Sequence, residues 1–162
     1  MNRKTALWFA AGFILFMTVS TLGAHYASSV LKTDMSDGLQ VVIARKFLME
    51  AVKENVVSIN QRLTGGNIQE AAVNGETIAA VATVLPPLFK ETHQAVYPVK
   101  DSNSFFKGAE PAPFEKAAEA LRAAAMDVKK AADAKDAGGL KKAFGALGES
   151  CGGCHAAYRG KY

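Results

Sequence analysis

Two cysteines and a histidine lie close together near the end of the chain, in the sequence Cys151-Gly152-Gly153-Cys154-His155. Two thiols separated by two residues and followed at once by an imidazole form the pattern for covalent c-type haem attachment. In that chemistry the thiols add to the haem vinyl groups as thioethers, and the neutral imidazole binds the iron from one side. The spacing therefore predicts one covalent haem c, held by Cys151 and Cys154, with His155 as an iron ligand.

Three other kinds of site use the same residue types. A structural zinc site needs four ligands, but the chain has two cysteines, and His25 and His93 do not lie at the spacing of a zinc motif. A thioredoxin-like dithiol would lie beside a βαβ pattern, which the sequence lacks. A structural disulfide would close too short a loop to stabilise much. A haem-free exported dithiol protein is the weaker alternative that remains.

The composition favours a small helical protein. The chain has 162 residues, enough for one domain, with abundant Ala, short β-branched runs, and Gly and Pro between periodic stretches. Residues 25–162 carry 17 basic and 15 acidic side chains, and the lysines are scattered among acids, which argues against nucleic-acid binding. No nucleophile–base pair or acid–base carboxylate pair is evident, so the sequence does not predict an enzyme.

The N-terminus predicts export. Arg3 and Lys4 precede an apolar run from Ala6 to Val19, and no charged residue follows until Lys32. Residues 7–24 are therefore long enough to cross a bilayer. We expect residues 1–24 to be a signal peptide or an uncleaved membrane anchor, residues 25–36 a linker, and residues 37–162 a domain in the periplasm. That domain is soluble after cleavage, or tethered to the inner membrane through residues 7–24.

Four periodic segments predict a bundle of helices. The first runs to about Thr64, the second from Asn67 to Pro86-Pro87, the third begins at Pro111, and the fourth carries the cysteines. Gly75 lies on the inner face of the second and would permit close approach by a neighbour. Residues 86–110 show no sustained period, and a loop of that length is usually functional. The fold class predicted is an all-α, antiparallel four-helix bundle.

Two side chains of the first segment interrupt its apolar stripe. Arg45 lies on the core-facing side, so it either extends to water near the end of the bundle or pairs with a haem propionate. Met49 lies one turn later and is either a flexible core filler or a thioether ligand opposite His155. Arg159, one turn after His155, is either a surface cation at a helix C-terminus or a second propionate partner.

Four helices with the haem motif at the C-terminal end resemble the class II c-type cytochromes, the cytochrome c-prime family. The stretch Leu140 to Arg159 is similar to the last helix of that family, and Arg45, Met49 and Gly65 fall at matching places of the first. Phe114 replaces a Trp found in many members, and residues 86–110 are not a close match.

The resemblance implies a low-spin relative, in which Met49 is the sixth iron ligand. It then implies one-electron transfer with redox partner proteins. The alternative is five-coordinate iron that binds NO or CO, for gas binding or NO buffering. The family also often forms homodimers through its first two helices, which makes a homodimer an expectation here.

Overall fold

The computed structural model describes residues 38–100 and 102–162. The predicted signal or anchor segment (1–24) and linker (25–36) lie outside the described residues. Four helices account for most of the described chain, as predicted, in a four-helix-bundle fold. In chain order they are α1 (Gly38–Gly65), α2 (Ala71–Leu88), α3 (Pro111–Asp133) and α4 (Ala137–Tyr158).

The starts of α3 and α4 follow local rules. Helix α3 begins with Pro111 at its first position, and the Asp136 side chain caps α4 by accepting the Gly139 N–H at 2.9 Å. The predicted end of α2 before Pro86-Pro87 is wrong, because the helix continues to Leu88. The fixed φ of proline is helical, so the backbone continues through both residues, although neither has an N–H to donate to the carbonyl four residues earlier.

The core is built from facing helix stripes that contain many small residues. On α3 the buried alanines are Ala118, Ala124, Ala125 and Ala132. A Cβ on Gly75 of α2 would lie 2.6 Å from the carbonyl oxygen of Ala125. The predicted close approach at Gly75 is therefore confirmed, since the backbones of α2 and α3 meet there.

Helix α2 is also the described segment that most resembles a membrane span. With the 3-10 turn before it, Ile68–Leu88 is long and apolar enough to cross a bilayer. However, its apolar side faces the other helices, and Ala71, Ile78 and Ala82 are almost fully buried. We therefore interpret it as a core helix of the bundle.

The connection between α2 and α3 contains regular structure, although its sequence shows no helical or strand periodicity. A 3-10 turn, Gln94–Val96, is followed by a short strand, β1 (Ser104–Phe106). Strand β1 pairs antiparallel with β2 (Arg159–Lys161), which continues directly from α4, and Phe105 lies opposite Gly160. We call β1 and β2 together the edge ribbon. It joins the connection between the middle helices to the end of the helix that carries the cysteines.

Candidate haem site

A cavity of about 350 Å³ lies between α1 and α4, and its wall is largely apolar. All six residues predicted from the sequence line it: Arg45 and Met49 from α1, Cys151, Cys154 and His155 from α4, and Arg159 from β2. Residues more than one hundred positions apart in the chain are thus brought to one place by the pairing of the first and last helices. Their individual roles stay predictions, but their common location is what those roles require.

The cysteines and the histidine are held by the last two turns of α4. Cys151 and Cys154 are half-buried, and before haem is attached burial raises the pKa of both thiols. Burial lowers the pKa of His155, and the charge of Arg159 lowers it further. The imidazole is therefore neutral at pH 7, which is the form that can bind a metal.

Met49 faces the cavity from the opposite wall. Its side chain is partly buried and packs against the core, next to Val52 and Val56, which also line the cavity. The thioether thus lies beside apolar side chains of α1. That position suits both predicted roles, a ligand opposite His155 and an apolar cover.

Arg45 is buried, with 3% of its surface exposed, so the alternative in which it extends to water is wrong. Its Nε donates to the carbonyl oxygen of Leu88 at 2.7 Å, and its terminal nitrogens donate to the carbonyls of Glu91 and Thr92. The guanidinium carbon lies 4.7 Å from the ring centre of Phe89. Burial lowers the pKa of Arg45, and a side-chain hydrogen bond with Tyr97 opposes that shift. Arg45 therefore fastens the chain that follows α2 onto α1.

Arg159 occupies the junction between α4 and the edge ribbon. Its side chain is exposed at the rim of the cavity, and its backbone N–H donates to the carbonyl of His155. This position is compatible with both predicted roles, the surface cation and the propionate partner. Its charge reaches the imidazole in either case.

Sequence reasoning missed the aromatic residues that complete the wall. Phe89, Phe106 and Phe114 form one group, with ring centres 5.0 to 5.7 Å apart, and Tyr158 lies 5.2 Å from Phe114. Tyr97 and Phe105 line the cavity as well. The signal available in the sequence is the density of aromatic residues between 89 and 106. It is not periodic, so it gives no helix or strand pattern.

The residues present fit a haem. An apolar cavity suits the porphyrin faces, the two thiols and the neutral imidazole share one wall, and Tyr97, Ser104 and Arg159 line it with groups that can donate to carboxylates. Among residues 38–100 and 102–162, no group of three or more His, Cys, Asp and Glu side chains could hold a metal ion. The described part of the chain thus offers no zinc site of the kind considered above.

Comparisons with known proteins agree with this geometry. The family model described as Cytochrome C' matches residues 40–159. Among solved structures, ferric cytochrome c prime from Alcaligenes xylosoxidans is similar at 21% identity over 77% of this chain and 97% of that one, with a TM-score of 0.63. A ferrous variant of that protein with bound NO is similar at 20% identity over 76% and 97%, with a TM-score of 0.59. No curated protein matches the chain.

Proposed function

Because this chain belongs to the cytochrome c-prime family and carries one covalently attached haem c, we propose that it is a haem protein that binds NO or CO. The observation that carries the proposal is that α1 lines the cavity with the apolar side chains of Val42, Met49, Val52 and Val56, while His155 lines it from α4. Similar solved structures include ferrous variants of cytochrome c prime with bound NO. The predicted electron transfer through a His/Met pair becomes the second candidate.

The haem supplies an iron centre that can bind a small neutral ligand or change its charge by one electron. The side chains around the haem decide between ligand binding and electron transfer. Cys151 and Cys154 fix the group on α4, and His155 presents a neutral imidazole from the same face. The apolar side chains of α1 exclude water from the opposite side, which favours neutral diatomic ligands over charged ones.

Met49 is the residue on which the two candidate functions differ. In the proposed function its side chain covers the open side and yields to NO or CO. In the second candidate its thioether remains a permanent ligand, which raises the reduction potential. The observation favouring the second candidate is that Met49 lines the cavity on the helix opposite His155.

We predict that the ferric holoprotein is high-spin and that Met49→Leu leaves its visible and EPR spectra almost unchanged. Leucine keeps the apolar volume but has no thioether, so only a ligating Met49 would make the exchange visible. Addition of CO and of NO to the ferrous protein should give ligand spectra in both proteins. A low-spin parent that becomes high-spin on substitution would contradict the proposal and establish the electron-transfer candidate.

The family is typically periplasmic, and we propose the periplasm for this domain. Cleavage within the N-terminal segment and a membrane tether through residues 7–24 are the two predicted alternatives for its attachment. Redox partner proteins also stay a prediction. We propose no enzymatic turnover for the site. Its chemistry would be reversible binding of a ligand.

Exposed apolar side chains on α1 and α2 offer a surface for the expected homodimer. Ile43 and Phe47 of α1, with Phe47 72% exposed, and Val73 and Val84 of α2 present large apolar side chains to solvent. We predict that Phe47→Lys shifts the holoprotein from dimer to monomer in analytical ultracentrifugation. Met126→Lys is the matched control, since Met126 is an exposed apolar residue on α3. A parent protein that is monomeric at micromolar concentration would refute the dimer.

A further inference from the structure

One edge of the cavity is formed by parts of the chain outside the four helices. The edge ribbon contributes Ser104, Phe105 and Phe106 from β1 and Arg159 from β2 to the lining, and Tyr97 lines it too. These residues lie between the helices in sequence or after the last of them. The ribbon therefore belongs to the binding site as well as to the connection between helices.

The ribbon is fixed to the end of α4 by backbone hydrogen bonds beyond its own three residue pairs. The Lys107 N–H donates to the carbonyl of Tyr158 at 2.9 Å, and the Tyr162 N–H donates to that of Asn103 at 2.9 Å. The Lys107 ammonium also donates to the carbonyl of Ala156 at 3.1 Å. The ribbon is thus held rigidly beside the last turn of α4, one turn from His155.

Three aromatic rings cover the ribbon. Phe105 lies 4.9 Å from Tyr162 and 6.3 Å from Tyr97, measured between ring centres. The ring of Phe105 rests on Gly160 of β2, and a Cβ at position 160 would overlap it. The position of this ring in the cavity wall therefore depends on a neighbour that has no side chain.

We propose that the edge ribbon sets the size of ligand that reaches the haem, with Tyr97 and Phe105 as the side chains that exclude larger molecules. The proposal rests on the gas-binding function above and adds a determinant of specificity to it. The two rings contact each other and the ring of Tyr162, and the backbone on either side of Phe105 is hydrogen-bonded to the end of the chain. A ligand larger than a diatomic molecule passes them only when the ribbon moves.

The test compares two neutral ligands of different size, CO and tert-butyl isocyanide, by their association rates with the ferrous holoprotein. Gly160→Ala displaces the Phe105 ring, and Phe105→Ala removes it. In both variants we expect the isocyanide rate to rise about tenfold, while the CO rate changes less than about twofold. Amide hydrogen exchange of Lys107 and Tyr162 should also accelerate in Gly160→Ala, because the ribbon must adjust.

Gly148→Ala is the matched control, because a Cβ at this exposed position of α4 meets no atom within 4 Å. Its isocyanide-to-CO rate ratio should equal that of the parent. An unchanged ratio in both ribbon variants would overturn the proposal, and so would equal acceleration of both ligands, which indicates general loosening. If the parent binds neither ligand, the gas-binding function fails. The isocyanide-to-CO rate ratio is then measured in the parent and in both ribbon variants with Met49→Leu added to each, and this comparison decides the role of the ribbon.

Discussion

Gly75→Ala should destabilise the holoprotein by about 2 kcal/mol, although alanine is the better helix former. The added Cβ would lie 2.6 Å from the carbonyl oxygen of Ala125 and 2.9 Å from the backbone nitrogen of Lys129. Both atoms belong to the backbone of α3 and cannot turn aside as a side chain would. Helices α2 and α3 must therefore separate, and the contacts of Ile78 and Val128, both fully buried, loosen with them.

Guanidinium chloride unfolding, followed by far-UV circular dichroism, measures this loss. The control is Gly145→Ala on α4, where a Cβ meets no atom within 4 Å. It should stabilise the protein by about 0.5 to 1 kcal/mol, because alanine restricts the unfolded chain more than glycine does. Equal effects of the two substitutions would show that α2 and α3 do not make this close contact.

The sequence was most informative where periodicity or motif spacing applies. Apolar residues of α1 repeat in sevens at Val42, Met49, Val56 and Leu63, with Val52 and Ile59 three residues after members of that row, and this repeat predicts its inner face. Val42, Val52 and Ile59 are buried, and the other three are partly buried against the core. The Cys-x-x-Cys-His spacing predicted that three reactive groups share one side of α4, and all three line the cavity. Both patterns follow from helix geometry alone, which fixes the relation between residues three and four positions apart.

The features that the sequence did not predict depend on contacts between segments that are distant in the chain. The edge ribbon pairs Phe105 with Gly160, and neither three-residue strand is long enough to show an alternating pattern. Likewise, the position of Arg45 on a core stripe left two alternatives open, extension to water and pairing with a haem propionate. Its partners are backbone carbonyls at residues 88, 91 and 92, which every residue type carries. Backbone acceptors of this kind cannot be predicted from the residue types in the sequence.

The exchange Arg45→Met should cost about 3 kcal/mol of folding free energy, the larger of the two effects on stability. Methionine replaces most of the buried stem but donates no hydrogen bond, so the carbonyls of Leu88 and Glu91 lose their partner. The contact of the guanidinium with the rings of Phe89 and Phe106 is lost as well. The chain after α2 should then detach from α1, with faster amide exchange through residues 94–97.

Two further variants identify what the guanidinium holds. In Lys46→Met the loss should be below about 1 kcal/mol, since this neighbouring cation donates one exposed bond, to the carbonyl of Lys100 at 2.7 Å. Arg45→Lys keeps the charge but cannot reach several carbonyls at once, so it should retain most of the destabilisation. Nearly full rescue by lysine would instead mean that Arg45 acts through its charge, as the predicted propionate pair requires. A guanidinium can donate to several backbone carbonyls at once and lysine cannot, whereas either side chain can act as a counter-ion. The lysine variant therefore separates the two roles of Arg45.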